Sequence, residues 1–220
     1  VLFRSPDANA VQYLQYTKLA PPDSTLLRGI SSLGPGEYAT FDGGEWSERR
    51  YWNLSAEPVD RPEPRHAEDL RDQFLGTVDR LSEGESSLGV TLSGGVDSAA
   101  IVAAVSEIRP DLDVHTFTCG YGPNDPEVRS AERVSDYFGT EHHNIFVRPR
   151  DIAGELRQLV WHLEDPIART ESILGFLTAR AASEFVDVVL AGHAGDELFA
   201  GMDRHKLIWL IDRLPWLRGP

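Results

Sequence analysis

The feature that most constrains this chain is a glycine-rich turn at residues 93–98, between a buried strand and a helix. The apolar run at 88–92 predicts the strand, and a helix is predicted over 97–107. Gly94 and Gly95 allow the backbone to bend sharply and to approach a ligand closely. The start of the helix offers unpaired N–H groups and the positive end of its dipole, so the turn is suited to binding phosphate.

The side chains of this turn indicate a phosphate group bound together with Mg²⁺. Ser93 and Ser98 add hydroxyl donors, whereas the Asp97 carboxylate would repel phosphates unless a cation lay between them. Mg²⁺ binds one or two carboxylates together with phosphate oxygens, which accounts for Asp97. The Walker-type loop needs a Gly-Lys pair, and this chain contains none. The alternative is a plain strand–helix turn with capping serines and a solvated Asp97.

A second strand end carries a similar pattern. Residues 185–191 form another apolar run, followed by glycines and then by Asp196 and Glu197 at a predicted helix start. Ligands of open α/β sheets bind beyond the carboxyl ends of the strands, so Asp97 and Asp196 are predicted to bind one Mg²⁺ against the phosphates. Taken alone, Asp196 and Glu197 would more often be helix N-terminal carboxylates that the dipole favours. The presence of the first loop favours the functional interpretation.

Both motifs resemble those of a known enzyme family. Residues 93–98 are similar to the Ser-Gly-Gly-x-Asp-Ser loop of ATP pyrophosphatases. Residues 191–202 resemble the second motif of the asparagine synthetase family, Ser-Gly-x-Gly-x-Asp-Glu-Leu-Phe-x-Gly-Tyr. Residues 116–120 and 139–143 match the family between these motifs, and residues 21–52 match the segment that precedes its synthetase domain. The chain therefore resembles this family, which includes β-lactam synthetases and macrolactam-forming peptide cyclases, over nearly its whole length.

The resemblance implies an ATP-dependent amide synthetase that forms AMP and pyrophosphate. A small-molecule carboxylate, aspartate in asparagine synthetases, is activated as an acyl-adenylate, and ammonia from glutamine then forms the amide. The implied cofactors are ATP and Mg²⁺, with Asp97 and Asp196 as metal ligands. Two alternatives remain open: a divergent member that makes another amide or a macrolactam, and a non-catalytic nucleotide-binding regulator. A tRNA-modifying adenylating enzyme shares the first loop only.

The resemblance also implies the residues that bind the nucleotide. They are Leu92, Ser93, Gly94, Gly95, Asp97, Ser98, Cys119, Ala191 and Gly192. Leu92 and Cys119 would lie against the adenine, although a small buried core residue is the alternative for both. Ala191 and Gly192 would border the ribose and the α-phosphate.

The candidate catalytic residues are His193, Asp196 and Glu197. Most asparagine synthetases have glutamate at the position of His193. A neutral imidazole can act as a base or a hydrogen-bond donor near pH 7, but it does not attract an ammonium ion as a carboxylate does. Ala191 and Ala194 also replace the usual serine and glycine. The sequence therefore leaves the identity of the acyl substrate open.

Beyond these motifs, helical and strand patterns alternate along the chain. Residues 1–60 are predicted to be the end of a glutaminase domain and a linker, with a hairpin near 36–45, and residues 61–220 a C-terminally truncated synthetase domain. Predicted helices are 66–82, 97–107, 127–138, 151–163 and 172–184, and predicted strands are 88–92, 114–119, 143–147 and 186–190. This alternation predicts an open parallel sheet with helices on both faces. The resemblance implies the adenine nucleotide alpha hydrolase-like fold.

Composition limits the classes of binding partner and the cellular compartment that we expect for this chain. The net charge is −14, which argues against nucleic acid and anionic membranes as partners. A single cysteine, Cys119, excludes an internal disulfide framework and argues against a zinc site. His142 and His143 are predicted to be structural. No signal peptide and no apolar run of about 18 residues occurs, so a cytoplasmic location is predicted, with a homodimer left open.

Overall fold

The computed structural model divides the chain into two compact units. The residues that it describes are 5–22, 24–55, 57–164 and 171–214. One unit contains residues 1–62 and 153–173, and the other contains 63–152 and 174–220. Within the described residues, no helix combines the length and the apolar character that crossing a lipid bilayer requires.

The first unit contains a helix and a hairpin. Helix α1 spans Ala8–Thr17, and Asp7 caps it by accepting hydrogen bonds from the N–H groups of the second and third residues of the helix. The sequence analysis predicted no helix in this stretch, which it described as the end of a glutaminase domain and a linker, so α1 was missed. Strands β1, Glu37–Asp42, and β2, Glu45–Arg50, pair in antiparallel fashion and confirm the predicted hairpin.

The second unit holds most of the remaining elements. The remaining elements of the described chain are α2 (Glu63–Leu81), β3 (Ser87–Thr91), α3 (Val96–Ile108), β4 (Asp113–Gly120), α4 (Pro126–Phe138), β5 (Glu141–Phe146), α5 (Pro149–Leu163), α6 (Glu171–Ala182), β6 (Val189–Leu190), α7 (Gly195–Leu198) and α8 (Asp203–Arg213). Helices α5 and α6 contribute residues to both units. All predicted helices and strands of this region are present, with ends shifted by a few residues.

Strand β6 is shorter than predicted. The apolar run suggested a strand over 186–190, but only Val189 and Leu190 pair with β3. The residues before them complete the turn that follows α6, because the Phe185 and Val186 N–H groups both donate to the Ala182 carbonyl. Apolar character marked the buried segment correctly but could not separate its turn from its strand.

The four strands of the second unit form a parallel sheet in the order β5-β4-β3-β6. Helices α2, α3 and α4 cover one face, whose core includes Val78, Leu88, Val90, Val102, Val105 and Ala131. On the other face, Phe117 of β4 packs with Ala182 of α6 and with Val186. The prediction of an open parallel sheet flanked by helices on both faces is thereby confirmed.

Gly89 in β3 allows this second face to pack closely. A Cβ at this position would lie 2.9 Å from methyl groups of Val186 and Val189 and 3.1 Å from the Phe117 ring. The residue is buried, so these neighbours cannot move into solvent. The strand that leads into the glycine-rich turn therefore depends on a position without a side chain.

We expect Gly89→Ala to destabilise the chain by about 1–3 kcal/mol, because the added methyl group overpacks this face. Gly76→Ala is the matched control. Gly76 lies within α2, where a Cβ would meet only the end of the Arg80 side chain at 3.6 Å, so alanine should stabilise the helix by about 1 kcal/mol. Urea unfolding of both variants measures the difference. Equal effects of the two substitutions would contradict the packing account.

Candidate functional site

The glycine-rich turn joins β3 to α3 and has a conformation that requires glycine. Gly94 has a φ of +72°, and a Cβ there would lie 2.5 Å from the Ser130 side chain. The Ser130 hydroxyl donates to the Gly94 carbonyl at 3.3 Å and ties the turn to α4. The backbone of the turn is therefore held in one conformation.

Hydrogen bonds between serines fix the inner side of this turn. The Ser98 hydroxyl is buried and accepts from the Ser93 N–H at 3.2 Å, and the two hydroxyl groups lie 3.1 Å apart. The Ser93 hydroxyl also accepts from the Gly95 N–H at 3.3 Å. Gly95 is the N-cap of α3 and provides no side-chain cap, so the first-turn N–H groups of α3 are left to a ligand or to water.

The second motif packs directly against Asp97. A Cβ on Gly192 would lie 3.0 Å from the Cβ of Asp97, and a Cβ on Gly195 would overlap the Asp97 carboxylate itself. Gly195 immediately precedes Asp196 in the chain. The structure therefore brings the two predicted loops together at the carboxyl edge of the sheet, as the sequence analysis expected.

The loop that carries Asp196 has an unusual backbone. Its single helical turn, α7, is preceded by Ala194 with a φ of +69°, and Ala200 after it has a φ of +58°. Left-handed conformations are unfavourable for residues that have a Cβ. A Cβ on Gly201 would overlap the Asp196 carboxylate, and the Gly201 N–H donates to the Asp196 carbonyl at 2.9 Å. Tight turns on both sides thus fix the Asp196 position.

These loops border a pocket of about 510 Å³. Its lining consists of Thr91, Leu92, Ser93, Gly95, Val96, Asp97, Ser98, Phe117, Thr118, Cys119, Glu127, Thr178, Gly192, His193 and Asp196. Nine of the predicted site residues are among them. The predicted residues Gly94, Ala191 and Glu197 are not part of the lining, and Glu197 is exposed on α7.

Sequence reasoning missed four polar residues of this lining, which are Thr91, Thr118, Glu127 and Thr178. The Thr118 hydroxyl donates to the Leu92 carbonyl and joins the ends of β3 and β4. Glu127 lies in the first turn of α4, directly after the loop that follows β4. A polar residue just beyond the carboxyl end of a predicted strand could have been recognised as a candidate site residue. Thr178 lies within α6, and nothing in its local sequence distinguishes it from a core residue.

The charge of the pocket favours a bound cation. Three carboxylates line it, those of Asp97, Glu127 and Asp196, and no lysine or arginine occurs among the described lining residues. Phosphates would be repelled unless a cation neutralised these groups. Two aspartates together with phosphate oxygens suit Mg²⁺, which takes few protein carboxylates. The residues present therefore fit a magnesium ion bound by Asp97 and Asp196.

Cys119 contributes a neutral wall to the pocket. Burial raises the pKa of its thiol above the usual value, and a hydrogen bond with Thr178 offsets this effect in part. A raised pKa means a smaller thiolate fraction at neutral pH, so the side chain remains protonated. This chemistry suits contact with a flat ring rather than nucleophilic attack.

Comparison with known proteins agrees with the motifs. The family model described as asparagine synthase matches residues 69–219. Asparagine synthetase [glutamine-hydrolyzing] 1 of Bacillus subtilis is 29% identical over 202 residues, which are 91% of this chain and 32% of that protein. A putative asparagine synthetase of Mycobacterium tuberculosis is 30% identical, over 89% of this chain and 30% of that protein. The chain thus spans about a third of the length of these relatives.

Similar solved structures have low sequence identity. NH3-dependent NAD synthetase from Campylobacter jejuni is 17% identical with a TM-score of 0.41, over 61% of this chain and 59% of that chain. Glutamine-dependent NAD+ synthetase from Acinetobacter baumannii is 20% identical with a TM-score of 0.44, over 74% of this chain and 31% of that chain.

We expect Ala194→Gly to stabilise the chain by about 0.5–1 kcal/mol, because glycine removes the strain of the left-handed conformation. The control is Ala67→Gly on the exposed side of α2, where glycine should cost about 1 kcal/mol. Thermal unfolding, followed by circular dichroism, measures both. A destabilised Ala194→Gly variant would contradict the backbone described for this loop.

Proposed function

The chain belongs to the asparagine synthase family, and we propose that it forms the ATP-dependent synthetase part of an amide-forming enzyme. One observation carries this proposal. Two glycine-rich strand ends converge so closely that the Asp97 carboxylate packs against Gly195, beside Asp196, within one acidic pocket. That arrangement suits the magnesium complex of a nucleotide at the carboxyl edge of a parallel sheet.

The geometry suggests how ATP would bind. The phosphates would lie against the turn at 93–98, where first-turn N–H groups of α3 and the Ser93 hydroxyl are available. The adenine would lie against Leu92 and Cys119, and the ribose and α-phosphate would lie beside Gly192 and Ala191. The pocket volume of about 510 Å³ is within the usual range for small-molecule sites.

Asp97 and Asp196 would bind Mg²⁺ in this complex. Bound Mg²⁺ would neutralise the charge of the leaving pyrophosphate. The protein contributes closely fitted space for each carboxylate, because Gly192 and Gly195 have no side chain to displace Asp97 and Gly201 has none to displace Asp196. Preorganised charges of this kind cost no rearrangement during the reaction.

The proposed reaction has two steps. An oxygen of a substrate carboxylate attacks the α-phosphorus of ATP, which breaks the bond to the β-phosphate and releases pyrophosphate. Ammonia or another amine then attacks the acyl carbon, an amide bond forms, and AMP leaves with the former carboxylate oxygen. His193 lines the pocket, and its imidazole would accept the proton that the attacking amine loses.

Aspartate, with ammonia derived from glutamine, is the substrate pair that the relatives' names favour. His193 supports a second candidate, a family member that forms another amide or a macrolactam. An imidazole in place of the usual glutamate attracts a cationic group less strongly. A regulator that binds nucleotide without catalysis is the third candidate.

Product analysis separates these candidates. The protein, expressed from its complete natural gene, would be given MgATP, aspartate and either glutamine or ammonia. We expect asparagine and pyrophosphate in equal amounts. Nucleotide binding without turnover of aspartate would instead favour another carboxylate or a regulator. Absence of nucleotide binding would contradict the proposal as a whole.

We expect Asp97→Asn to lower the rate of pyrophosphate release by roughly a hundredfold or more, because the metal-bound leaving group loses a fixed carboxylate. Asp203→Asn is the matched control. Asp203 begins α8, forms an ion pair with Lys206 at 2.9 Å and does not line the pocket, so its substitution should leave the rate unchanged. Full activity of Asp97→Asn would exclude the assigned role.

A further inference from the structure

A second group of potential metal ligands lies at the opposite end of the sheet. His115 is near the start of β4, and Glu141 and His143 are at the start of β5. In the parallel pairing, His115 is opposite Glu141 and Phe117 is opposite His143, so these side chains share one face of the sheet. One ligand atom from each of His115, Glu141 and His143 lies within 4.8 Å of the other two.

We propose that His115, His143 and Glu141 form a binding site for a first-row divalent metal ion of the zinc class. Two imidazoles and one carboxylate are a ligand set that zinc uses in proteins, with water in the fourth position. The single cysteine of the chain argued against zinc, but this set needs no thiolate. The ion would join the first halves of β4 and β5.

The distances suit a tetrahedral ion after small side-chain movements. His115 Nδ1 lies 3.0 Å from His143 Nε2. Glu141 carboxylate oxygens lie 3.6 Å from His143 Nε2 and 4.0 Å from His115 Nδ1. Metal–nitrogen bonds of about 2.0–2.1 Å place two ligand atoms of a tetrahedral zinc ion about 3.3 Å apart. Each observed separation is within an ångström of that value.

A carboxylate behind His115 supports the same assignment. An Asp113 oxygen lies 3.4 Å from Nε2, the ring nitrogen of His115 that points away from the cluster. Metal-binding histidines commonly donate this second N–H to a carboxylate, which fixes the tautomer and makes the other nitrogen more basic. With Nε2 protonated, the Nδ1 lone pair of His115 points toward His143 and Glu141.

Aromatic packing holds the imidazoles in position and leaves one side open. The His143 ring stacks on Phe117 with centroids 4.9 Å apart and contacts Phe185 at 4.2 Å. The side chain of His115 is 9% exposed, that of His143 19% and that of Glu141 60%. An ion would therefore enter past Glu141 onto ligands that are already oriented.

The charge of the cluster is also unbalanced. Among the described residues, Asp113 and Glu141 form ion pairs with these imidazoles only. The carboxylates of Asp113 and Glu141 place two negative charges beside a largely apolar face. A divalent cation would balance these two charges. Hydrogen bonds and aromatic packing leave them unbalanced.

This site differs from the magnesium site in position and in chemistry. His115 precedes Cys119 by four residues, and this corresponds to about 13 Å along β4. Imidazole nitrogens favour zinc, copper or nickel, whereas magnesium takes oxygen ligands and phosphates. Excess magnesium should therefore not displace the ion.

Titration with Zn²⁺ tests this site directly. Isothermal titration calorimetry of the purified protein in excess Mg²⁺ should give one Zn²⁺ per chain, and Co²⁺ should give the visible absorption of a tetrahedral complex. At a hundredfold excess over Kd, Zn²⁺ should raise the melting temperature by about 5–10 °C. His143→Ala and Glu141→Gln should each weaken binding at least tenfold.

His142→Gln is the matched control. His142 neighbours His143 in β5 but bonds on the other face, with Thr116 at 2.8 Å and Asn144 at 3.2 Å. This variant should keep the zinc affinity and the cobalt spectrum, and circular dichroism verifies that each variant is folded. Absence of stoichiometric zinc binding, or unchanged binding in folded His143→Ala and Glu141→Gln, would overturn the proposal.

Discussion

The contact between Asp97 and the glycines of the second loop determines the candidate site. The two loops, which come from distant parts of the chain, meet at Gly192 and Gly195, where the absence of a side chain leaves space for Asp97. A methyl group at Gly195 would occupy the position of the Asp97 carboxylate. The shared pocket, which both Asp97 and Asp196 line, follows from this steric fit. The parallel sheet makes this contact possible, because it places both loops at the same edge.

Much of this arrangement was predictable from the sequence, because the signals were local. Apolar runs marked the buried strands, and the turn at 93–98 fixed a strand–helix junction. Helix α1 was missed because an aspartate cap and a few spaced apolar residues make a weak pattern. The predicted length of β6 was wrong, because hydrophobicity does not reveal where a turn ends and strand pairing begins. Thr178 was missed because only tertiary packing brings α6 to the pocket.

The histidine cluster shows a different limit of sequence reasoning. His115 and His143 are separated by a helix, and only the register of β4 against β5 places both on one face beside Glu141. The neighbouring His142 faces the other side and hydrogen-bonds with Thr116. A sequence in which two histidines are adjacent therefore does not reveal which of them belongs to a site. Strand alternation and register decide it together.

The assignment of Asp97 and Asp196 as metal ligands is tested most directly by locating a divalent ion in the nucleotide complex. Crystals of the protein grown with Mn²⁺ and a non-hydrolysable ATP analogue allow the manganese position to be read from its anomalous scattering. We expect a manganese peak in contact with carboxylate oxygens of both Asp97 and Asp196 and with phosphate oxygens of the analogue. A nucleotide-bound manganese ion that contacts neither aspartate, or an analogue bound outside this pocket, would contradict it.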